Sequence, residues 1–337
     1  MERRILVTLG PSSLKGDVIS AMERESVYLF RINLSHTHIE DVESSIKKIQ
    51  ENTDVPVCLD SEGAQVRNRQ MENGQVVFRA GNIVKVNFDE TLGDAENISF
   101  TPDYIGAQLE IGDEISVDFN SVLFEVFEKH KEYCLAKVKM GGLVSSNKAA
   151  NINRPIKLNT ITEKDKLAIE IGRQMNVRNF ALSFAHNADD VRMMRALIGK
   201  DSNLISKIES YNGLKNLNSI IEVSDEILID RGDLSREVSL VKIPFLQRRI
   251  VSLAKSRSTP VNVATNLLES MIVNVQPTRA EINDVVSSLI MGTDGLVLAA
   301  ETAIGLYPLE SVRNIRRLIE QFEKWTPNTS IDELLQD

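Results

Sequence analysis

Eight short runs of apolar, largely β-branched residues recur along the chain, and they restrict its possible folds more than any other sequence feature. They are RILVT (4–8), VYLFRIN (27–33), VPVCLD (55–60), NFALSF (179–184), NLISKI (203–208), EILID (226–230), PVNVA (260–264) and GLVLA (295–299). Such runs are typical of strands buried on both faces of a parallel sheet. Helical spacing between them, with helix starts predicted at Thr162 and Ser311, indicates repeated strand–helix units. Eight units predict an α/β fold, a closed (β/α)8 TIM barrel.

One long stretch, residues 68–153, interrupts this rhythm. Short alternating runs separated by Asn-Gly, Ala-Gly, Ile-Gly-Asp and Gly-Gly turns begin at Val76, Ile83, Glu114 and Cys134. We therefore predict an all-β lid domain inserted after strand 3, with the barrel formed by 1–67 and 154–325. A structural appendage without a ligand role is the alternative for the insert. The acidic tail, 326–337, is expected to be loosely held.

Composition excludes several classes of protein. The 337 residues carry a net charge of −9, which argues against binding to nucleic acid, because a phosphate backbone requires a basic surface. No apolar run approaches the length of a membrane span, and the first residues are typical of a strand rather than a signal peptide. We therefore expect a cytoplasmic protein without membrane contact. Cys58 and Cys134, far apart and outside any CxxC motif, are expected to be buried thiols.

Polar residues at the predicted strand ends are the candidates for function, because active sites of such barrels lie at the carboxyl ends of the strands. Strand 2 ends with Arg31, Asn33 and Ser35, which alternate onto one face. A guanidinium beside an amide and a hydroxyl suits phosphate or carboxylate recognition. Strand 3 ends with Asp60 and Ser61.

Asn33, Ser35, Asp60 and Ser61 together offer hard oxygen ligands with one formal charge, which favours a monovalent cation such as potassium. Ordinary capping of loops by Asn, Ser and Asp is the alternative.

The fifth strand carries Lys207 and Glu209, two residues apart and projecting in the same direction. An ammonium there would neutralise a transferring phosphoryl group, and a carboxylate would hold a divalent metal. A plain salt bridge is the alternative. Strand 6 leads into Gly232, where the backbone can approach a carboxylate, and into Asp233, a second metal carboxylate.

Strands 7 and 8 add two further polar positions. Thr265 offers a hydroxyl to a substrate or to a bound water. Glu301 is interpreted as a structural acid, with Arg279 as its candidate partner.

At these residues the chain resembles the pyruvate kinase family, from about residue 3 to 325. The motifs follow the family's order: Thr8-Leu-Gly-Pro-Ser-Ser, Arg31-Ile-Asn-Leu-Ser-His, Leu59-Asp-Ser-Glu-Gly, Ile205-Ser-Lys-Ile-Glu, Arg231-Gly-Asp-Leu, Ala264-Thr-Asn-Leu-Leu-Glu-Ser-Met, Pro277-Thr-Arg-Ala-Glu and Glu301-Thr-Ala-Ile-Gly-Leu-Tyr-Pro. The resemblance implies a glycolytic transferase that moves a phosphoryl group between phosphoenolpyruvate and ADP, giving pyruvate and ATP. It further implies Mg²⁺ or Mn²⁺, and usually K⁺, as cofactors.

The resemblance also implies roles for single residues. Lys207 would stabilise the transferring phosphoryl group and the enolate, Arg31 would hold the substrate phosphate, and Thr265 would lie near the site of enolate protonation. Glu209 and Asp233 would bind the divalent metal, with the Gly232–Asp233 backbone on the substrate carboxylate.

For the other ligands the resemblance implies two more sets of residues. The potassium ligands would be Asn33, Ser35, Asp60 and Ser61. Asn33, His36 and Arg67 would lie near the nucleotide phosphates, under a mobile lid formed by the insert.

Several residues depart from the family's pattern. Glu62 stands where a lysine is usual, and Gln65 replaces an acid associated with the monovalent cation, which leaves a potassium requirement open. Asp230 stands where the family has alanine, next to where an anionic substrate should bind. Ser146-Asn147-Lys148-Ala149 lacks one lysine expected near the nucleotide.

The sequence also ends after the eighth helix, so we expect no sugar-phosphate regulation by a C-terminal domain, and any homo-oligomer would form through the barrel or the lid.

Three hypotheses remain from the sequence. The first is a minimal pyruvate kinase, supported by Lys207, Glu209, Asp233, Thr265 and Arg31. The second is a related enzyme acting on a different enolpyruvate or 2-keto acid in a specialised pathway, supported by Asp230, Glu62 and the altered lid. The third is a non-catalytic regulatory relative, against which the retained lysine and metal carboxylates argue.

Overall fold

The computed structural model describes residues 3–63, 65–118, 121–154 and 156–335. The chain forms two compact units, one made of Met1–Gly63 with Thr160–Asp337 and the other of Ala64–Asn159. The second unit thus begins and ends a few residues outside the predicted insert, 68–153.

Seventeen strands are found among the described residues. They are β1 (Arg4–Thr8), β2 (Leu29–Asn33), β3 (Val57–Asp60), β4 (Arg67–Asn68), β5 (Gln75–Phe78), β6 (Ile83–Asn87), β7 (Asn97–Thr101), β8 (Glu114–Val117), β9 (Val122–Lys129), β10 (Tyr133–Met140), β11 (Gly142–Ser145), β12 (Ala150–Ile152), β13 (Asn179–Leu182), β14 (Asn203–Ile208), β15 (Glu226–Asp230), β16 (Val261–Ala264) and β17 (Gly295–Leu298).

Eight of these strands close into a parallel barrel, in the order β1-β17-β16-β15-β14-β13-β3-β2. Each coincides with one of the eight apolar runs, so the predicted α/β fold, a (β/α)8 barrel, is confirmed. One residue from each strand lies in a buried cluster of eight: Leu6, Leu29, Cys58, Ala181, Ile205, Leu228, Ala264 and Val297. Because side chains alternate along a strand, the neighbouring apolar residues belong to a second, larger cluster shared with the helices.

Thirteen α-helices are described, of which all but α3 lie in the barrel unit. They are α1 (Gly16–Glu23), α2 (Ile39–Gln50), α3 (Ile105–Gln108), α4 (Glu163–Gln174), α5 (Ala188–Ile198), α6 (Tyr211–Lys215), α7 (Leu217–Val223), α8 (Arg231–Glu237), α9 (Ile243–Ser256), α10 (Arg279–Met291), α11 (Ala300–Ala303), α12 (Pro308–Lys324) and α13 (Ile331–Leu334). Short 3₁₀ turns occupy Glu72–Gly74, Leu240–Lys242 and Glu269–Ile272. None of the helices in the described ranges is long and apolar enough to cross a membrane.

One of the two predicted helix starts is confirmed and the other is wrong. Thr162 caps α4 in a capping box with Asp165, each side chain accepting the other's backbone N–H. The helix expected to start at Ser311 instead begins at Pro308, and Ser311 is buried within its first turn. Proline is favoured at the first helical position because its fixed φ suits the helix and its missing N–H has no intrahelical partner there.

The second unit is built mainly of antiparallel strands, in agreement with the predicted all-β insert. A seven-stranded sheet has the order β12-β8-β9-β10-β6-β7-β4, and β11 pairs with β5. Phe78 and Phe124 meet edge-to-face at 5.1 Å within an apolar core that belongs to this unit alone. The four alternating runs correspond to β5, β6, β8 and β10. Cys58 and Cys134 are free, buried thiols, as expected.

Candidate active site

A buried ion pair joins β2 to the end of β3. The Nη1 atom of Arg31 donates to Oδ2 of Asp60 at 2.7 Å, and its Nε donates to Oγ1 of Thr8 at 2.9 Å. Asp60 is completely buried and Arg31 is 5% exposed. The pair can persist there because each charge is neutralised by the other and bonded to further polar atoms.

Lys207, from β14, extends this cluster across the barrel. Its Nζ atom donates to Oδ2 of Asp60 at 3.2 Å and to Oγ of Ser183 at 3.0 Å. The same atom lies 3.3 Å from Oε2 of Glu209 and 3.8 Å from Oδ2 of Asp230. Lys207 and Glu209 thus project in the same direction, as the sequence predicts, but in a network larger than a single salt bridge.

Three carboxylates converge on one point of this network. Oxygen atoms of Glu209, Asp230 and Asp233 all lie within 4.8 Å of one another. Glu209 accepts the backbone N–H of Phe184 through Oε1 at 2.7 Å. Its buried Oε2 accepts no hydrogen bond from any described residue. Hard carboxylate oxygens in this arrangement fit a divalent cation such as Mg²⁺ or Mn²⁺.

The electrostatics of the cluster follow from burial and proximity. Burial alone would lower the pKa of Lys207, but the carboxylates of Asp60, Glu209 and Asp230 raise it above its ordinary value, so the ammonium is charged. Burial raises the pKa of Glu209 to about 8, since the attraction of Lys207 only partly offsets burial and the neighbouring acids. Despite its burial, Asp230 has a lowered pKa because Lys207 and the hydroxyl of Thr265 stabilise its charged form.

Thr265 follows β16 and faces Asp230. Its Oγ1 atom donates to Oδ1 of Asp230 at 2.7 Å. Oδ1 of Asp230 also accepts the N–H of Gly232 at 3.2 Å. A β-carbon on Gly232 would lie 2.8 Å from Cγ2 of Thr265, so only glycine permits this approach. The side chain of Arg231 donates to the carbonyl of Thr265 and to Asp284, which fixes the turn.

The four predicted potassium ligands are grouped in two pairs. Asn33 Oδ1 accepts the backbone N–H of Ser35 at 3.0 Å. The other pair, Asp60 and Ser61, is bound by Ser183, whose backbone N–H donates to Oγ of Ser61 at 2.8 Å and whose hydroxyl donates to the Ser61 carbonyl at 2.6 Å. Asn33 and Asp60 are register partners in β2 and β3. Potassium binding stays a prediction.

The predicted nucleotide residues are divided between the two units. Asn33 and His36 lie in the turn after β2, where the N–H of His36 donates to the Asn33 carbonyl at 3.1 Å. Arg67 lies in β4 of the second unit, where it donates to the Asn147 carbonyl at 3.0 Å and to Oε1 of Gln65 at 2.6 Å. Their shared role in nucleotide binding stays a prediction.

Two further acids noted in the sequence, one of them a departure from the family's pattern, have partners in the structure. Glu62, which replaces the usual lysine, lies 3.2 Å from the ammonium of Lys164 on α4, so a lysine from another element stands beside it. Glu301 is buried and accepts the N–H groups of Ala299 and Leu268 at 3.0 and 3.4 Å. It is therefore a structural acid as interpreted, but no ion pair with the exposed Arg279 is found among the described residues.

Sequence reasoning missed two polar residues of the cluster. Ser183 contacts Lys207, Asp60 and Ser61, and it directly follows β13, so the rule applied to the other strand ends would have found it. Thr8, at the end of β1, accepts from Arg31 and donates to the Leu298 carbonyl at 2.8 Å. The arrangement of two buried cations beside a carboxylate trio can neutralise a phosphorylated substrate and hold a metal.

Comparison with known proteins points to one family. A family model described as the pyruvate kinase barrel domain matches residues 1–312. A pyruvate kinase of Thermotoga maritima is 34% identical over 330 residues, which cover 95% of this chain and 71% of the relative. One of Bacillus licheniformis is 33% identical over 333 residues, covering 95% and 57%. The crystal structure of a pyruvate kinase from Cryptosporidium parvum matches with a TM-score of 0.85 at 29% identity, covering 97% of this chain and 70% of that one.

Proposed function

Because the chain belongs to the pyruvate kinase family, we propose that it transfers a phosphoryl group between phosphoenolpyruvate and ADP, giving pyruvate and ATP. The observation that carries this proposal is the position of Lys207. Its buried ammonium lies among Asp60, Glu209 and Asp230 at the carboxyl ends of the barrel strands. A fixed positive charge in a buried site stabilises negative charge that develops on a transferring phosphoryl group and on the departing enolate.

The reaction breaks the P–O bond of phosphoenolpyruvate, and an oxygen of the terminal phosphate of ADP takes the phosphorus. The enolate that remains gains a proton at carbon and becomes pyruvate. Lys207 would neutralise the phosphoryl group and the enolate oxygen, and Arg31, held by Asp60 and Thr8, would orient the substrate phosphate. The Thr265 hydroxyl would hold the proton on the path to carbon.

A divalent metal would be held by Glu209 and Asp233 and, when bound, would supply further neutralisation of the substrate's charge. The protein provides the buried carboxylates and the glycine that lets the backbone approach the substrate carboxylate. Four points stay predictions from the sequence: binding of potassium, use of the nucleotide under a lid, a cytoplasmic location and assembly through the barrel.

A second function is favoured by one observation, the carboxylate of Asp230 beside Lys207 and Thr265. This extra acid would disfavour a highly anionic substrate. A metal-assisted reaction on a different enolpyruvate or 2-keto acid is therefore the alternative.

The test is a coupled assay of pyruvate formation from phosphoenolpyruvate and ADP, with Mg²⁺ or Mn²⁺ and with or without K⁺. We expect turnover in the wild type and a loss on the order of 10²–10³-fold or more in Lys207→Met, which removes a charge that stabilises the transition state.

Lys166→Met, which removes an exposed ammonium on α4, is the matched control and should retain the wild-type rate. An unchanged rate in Lys207→Met would contradict the catalytic role assigned to that residue. Wild-type protein that binds metal and pyruvate without turnover would favour the alternative substrate.

A further inference from the structure

Asp230 is a buried carboxylate to which the family resemblance gives no role. It ends β15 and is 9% exposed. Its Oδ1 accepts from the hydroxyl of Thr265 at 2.7 Å, while its Oδ2 lies 3.8 Å from the ammonium of Lys207. The side chain is therefore held in the candidate active site by residues that the proposed reaction uses.

The position of this carboxylate matches that of a metal ligand. Its oxygens lie within 4.8 Å of those of Glu209 and Asp233, the two predicted ligands of the divalent ion. Oε2 of Glu209 is buried at this point, 3.3 Å from the ammonium of Lys207, and accepts no hydrogen bond from the described residues. A third hard oxygen ligand raises both the charge and the ligand number of such a site, and these two quantities set affinity for divalent cations.

The charge of the pocket changes with Asp230. The cluster holds three cations, Arg31, Lys207 and Arg236, and the Nη1 atom of Arg236 lies 2.9 Å from Oδ1 of Asp233. With all four carboxylates described above ionised, the formal charge is −1, and a divalent ion would raise it to +1. Without Asp230 the formal charge would be zero, and the same ion would leave two positive charges to attract an anion.

We propose that Asp230 is a third carboxylate ligand of the divalent metal. Its carboxylate strengthens binding of the metal to the substrate-free protein and weakens binding of small anions to the metal-loaded site. Asp230 is thus a specificity-determining residue of the active site. The inference rests on the proposed function only in placing the metal and an anionic substrate in the same pocket.

The experiment measures two affinities that should move in opposite directions. Mn²⁺ alone is titrated into wild-type protein and Asp230→Ala by calorimetry, and oxalate is then titrated into the Mn²⁺-saturated proteins. We expect Asp230→Ala to bind Mn²⁺ on the order of tenfold more weakly, because one charged ligand is lost. It should bind oxalate on the order of tenfold more tightly, because the metal-loaded site becomes more positive.

Two further variants test whether the changes in affinity come from the charge of Asp230. Asp230→Asn keeps an oxygen that can accept from Thr265 but lacks the charge, so it should resemble Asp230→Ala in oxalate affinity. Glu222→Ala removes an exposed negative charge on α7 that pairs with Arg257, and it should leave both affinities unchanged. Thermal unfolding of each variant checks that it is folded.

The outcomes also distinguish this inference from the proposed function. Equal Mn²⁺ affinity in wild type and Asp230→Ala, or equal oxalate affinity, overturns the role of Asp230, whatever the coupled assay reports. Wild-type oxalate affinity in Asp230→Asn overturns the charge argument. Absence of Mn²⁺ binding by wild type overturns both the metal site and this inference. If the wild type shows no turnover in the coupled assay, but Asp230→Ala still binds Mn²⁺ more weakly and oxalate more tightly, only the proposed reaction is overturned.

Discussion

At the scale of single residues, the site is organised around one buried ammonium. A lysine 5% exposed would be costly if unpaired, because an ion removed from water loses its hydration. Here Asp60 and Glu209 lie within 3.3 Å of the Lys207 ammonium, and Asp60 also pairs with Arg31. Cations and carboxylates are therefore interdependent, and removal of one member leaves an uncompensated buried charge on another.

Thr265 gives a prediction at this scale. It has a φ of +75°, which is unusual for a β-branched residue, and its hydroxyl donates to Asp230. Thr265→Val retains the shape and removes the hydroxyl. We expect the rate of pyruvate formation to fall on the order of 10²-fold, as for loss of a group that moves a proton.

Thr265→Ser is the control in the same coupled assay, since it keeps the hydroxyl and relieves crowding at that φ. It should stay close to the wild-type rate. Full activity in Thr265→Val would show that the hydroxyl has no part in the chemistry.

At the scale of elements, the loops after the strands are fixed by contacts to the helices that follow. The 3₁₀ turn Glu269–Ile272 comes shortly after Thr265, and it is tied to the start of α10 by Glu281. This side chain accepts the N–H and hydroxyl of Ser270 at 2.7 and 2.5 Å and completes a capping box with Thr278. One carboxylate thus connects a helix start to the loop of the active site.

Glu281 gives a prediction with a defined pH dependence. Partial burial opposes its ionisation, but the hydrogen bonds from Ser270 and Thr278 hold its pKa below the ordinary 4.5. A lowered folded-state pKa contributes stability that is present above 4.5 and is lost as the pH falls through the folded value. Glu281→Gln should therefore lower the free energy of unfolding by about 1 kcal/mol at pH 7, with a smaller difference in acid.

Denaturant unfolding of both proteins at neutral and acid pH measures this difference. Glu40→Gln, which changes an exposed acid in the first turn of α2, is the matched control. A Glu281→Gln difference that stays the same at both pH values would contradict the role of the charged capping group.

At the scale of the whole molecule, the main apolar core of the barrel unit and the apolar core of the second unit consist of different residues. The larger lies between the barrel strands and their helices and includes Phe180, and the other lies within the second unit and includes Phe124. Since the two clusters share no residue, each unit has its own source of hydrophobic stabilisation.

This separation predicts two unfolding transitions in calorimetry. Phe124→Ala should lower the midpoint of one transition and Phe180→Ala that of the other, because each leaves a cavity in one core at a cost of about 3–5 kcal/mol. The two variants serve as controls for each other. A single transition that both variants shift equally would mean that the units unfold as one.

Much of this protein could be predicted from its sequence, because the information is local. Runs buried on both faces located all eight barrel strands, and alternation placed Lys207 and Glu209 on one side of β14. Turn residues located the insert. Local patterns failed where neighbours compete, as at Ser311, where the proline three residues earlier already starts the helix.

Only the tertiary structure decided which polar groups meet. Asp60 and Lys207 are 147 residues apart, and Asp230 and Thr265 are 35 apart, yet each pair is in contact once the barrel closes. The closed barrel places Asp230 beside Glu209 and Asp233, and it places Ser183 beside Lys207. The carboxylate of Glu301 accepts backbone N–H groups instead of pairing with Arg279. The sequence determines strands, helices and the faces of single elements because these depend on residues a few positions apart. Partners across the barrel depend on strand register and side-chain packing, which exist only after the strands have closed.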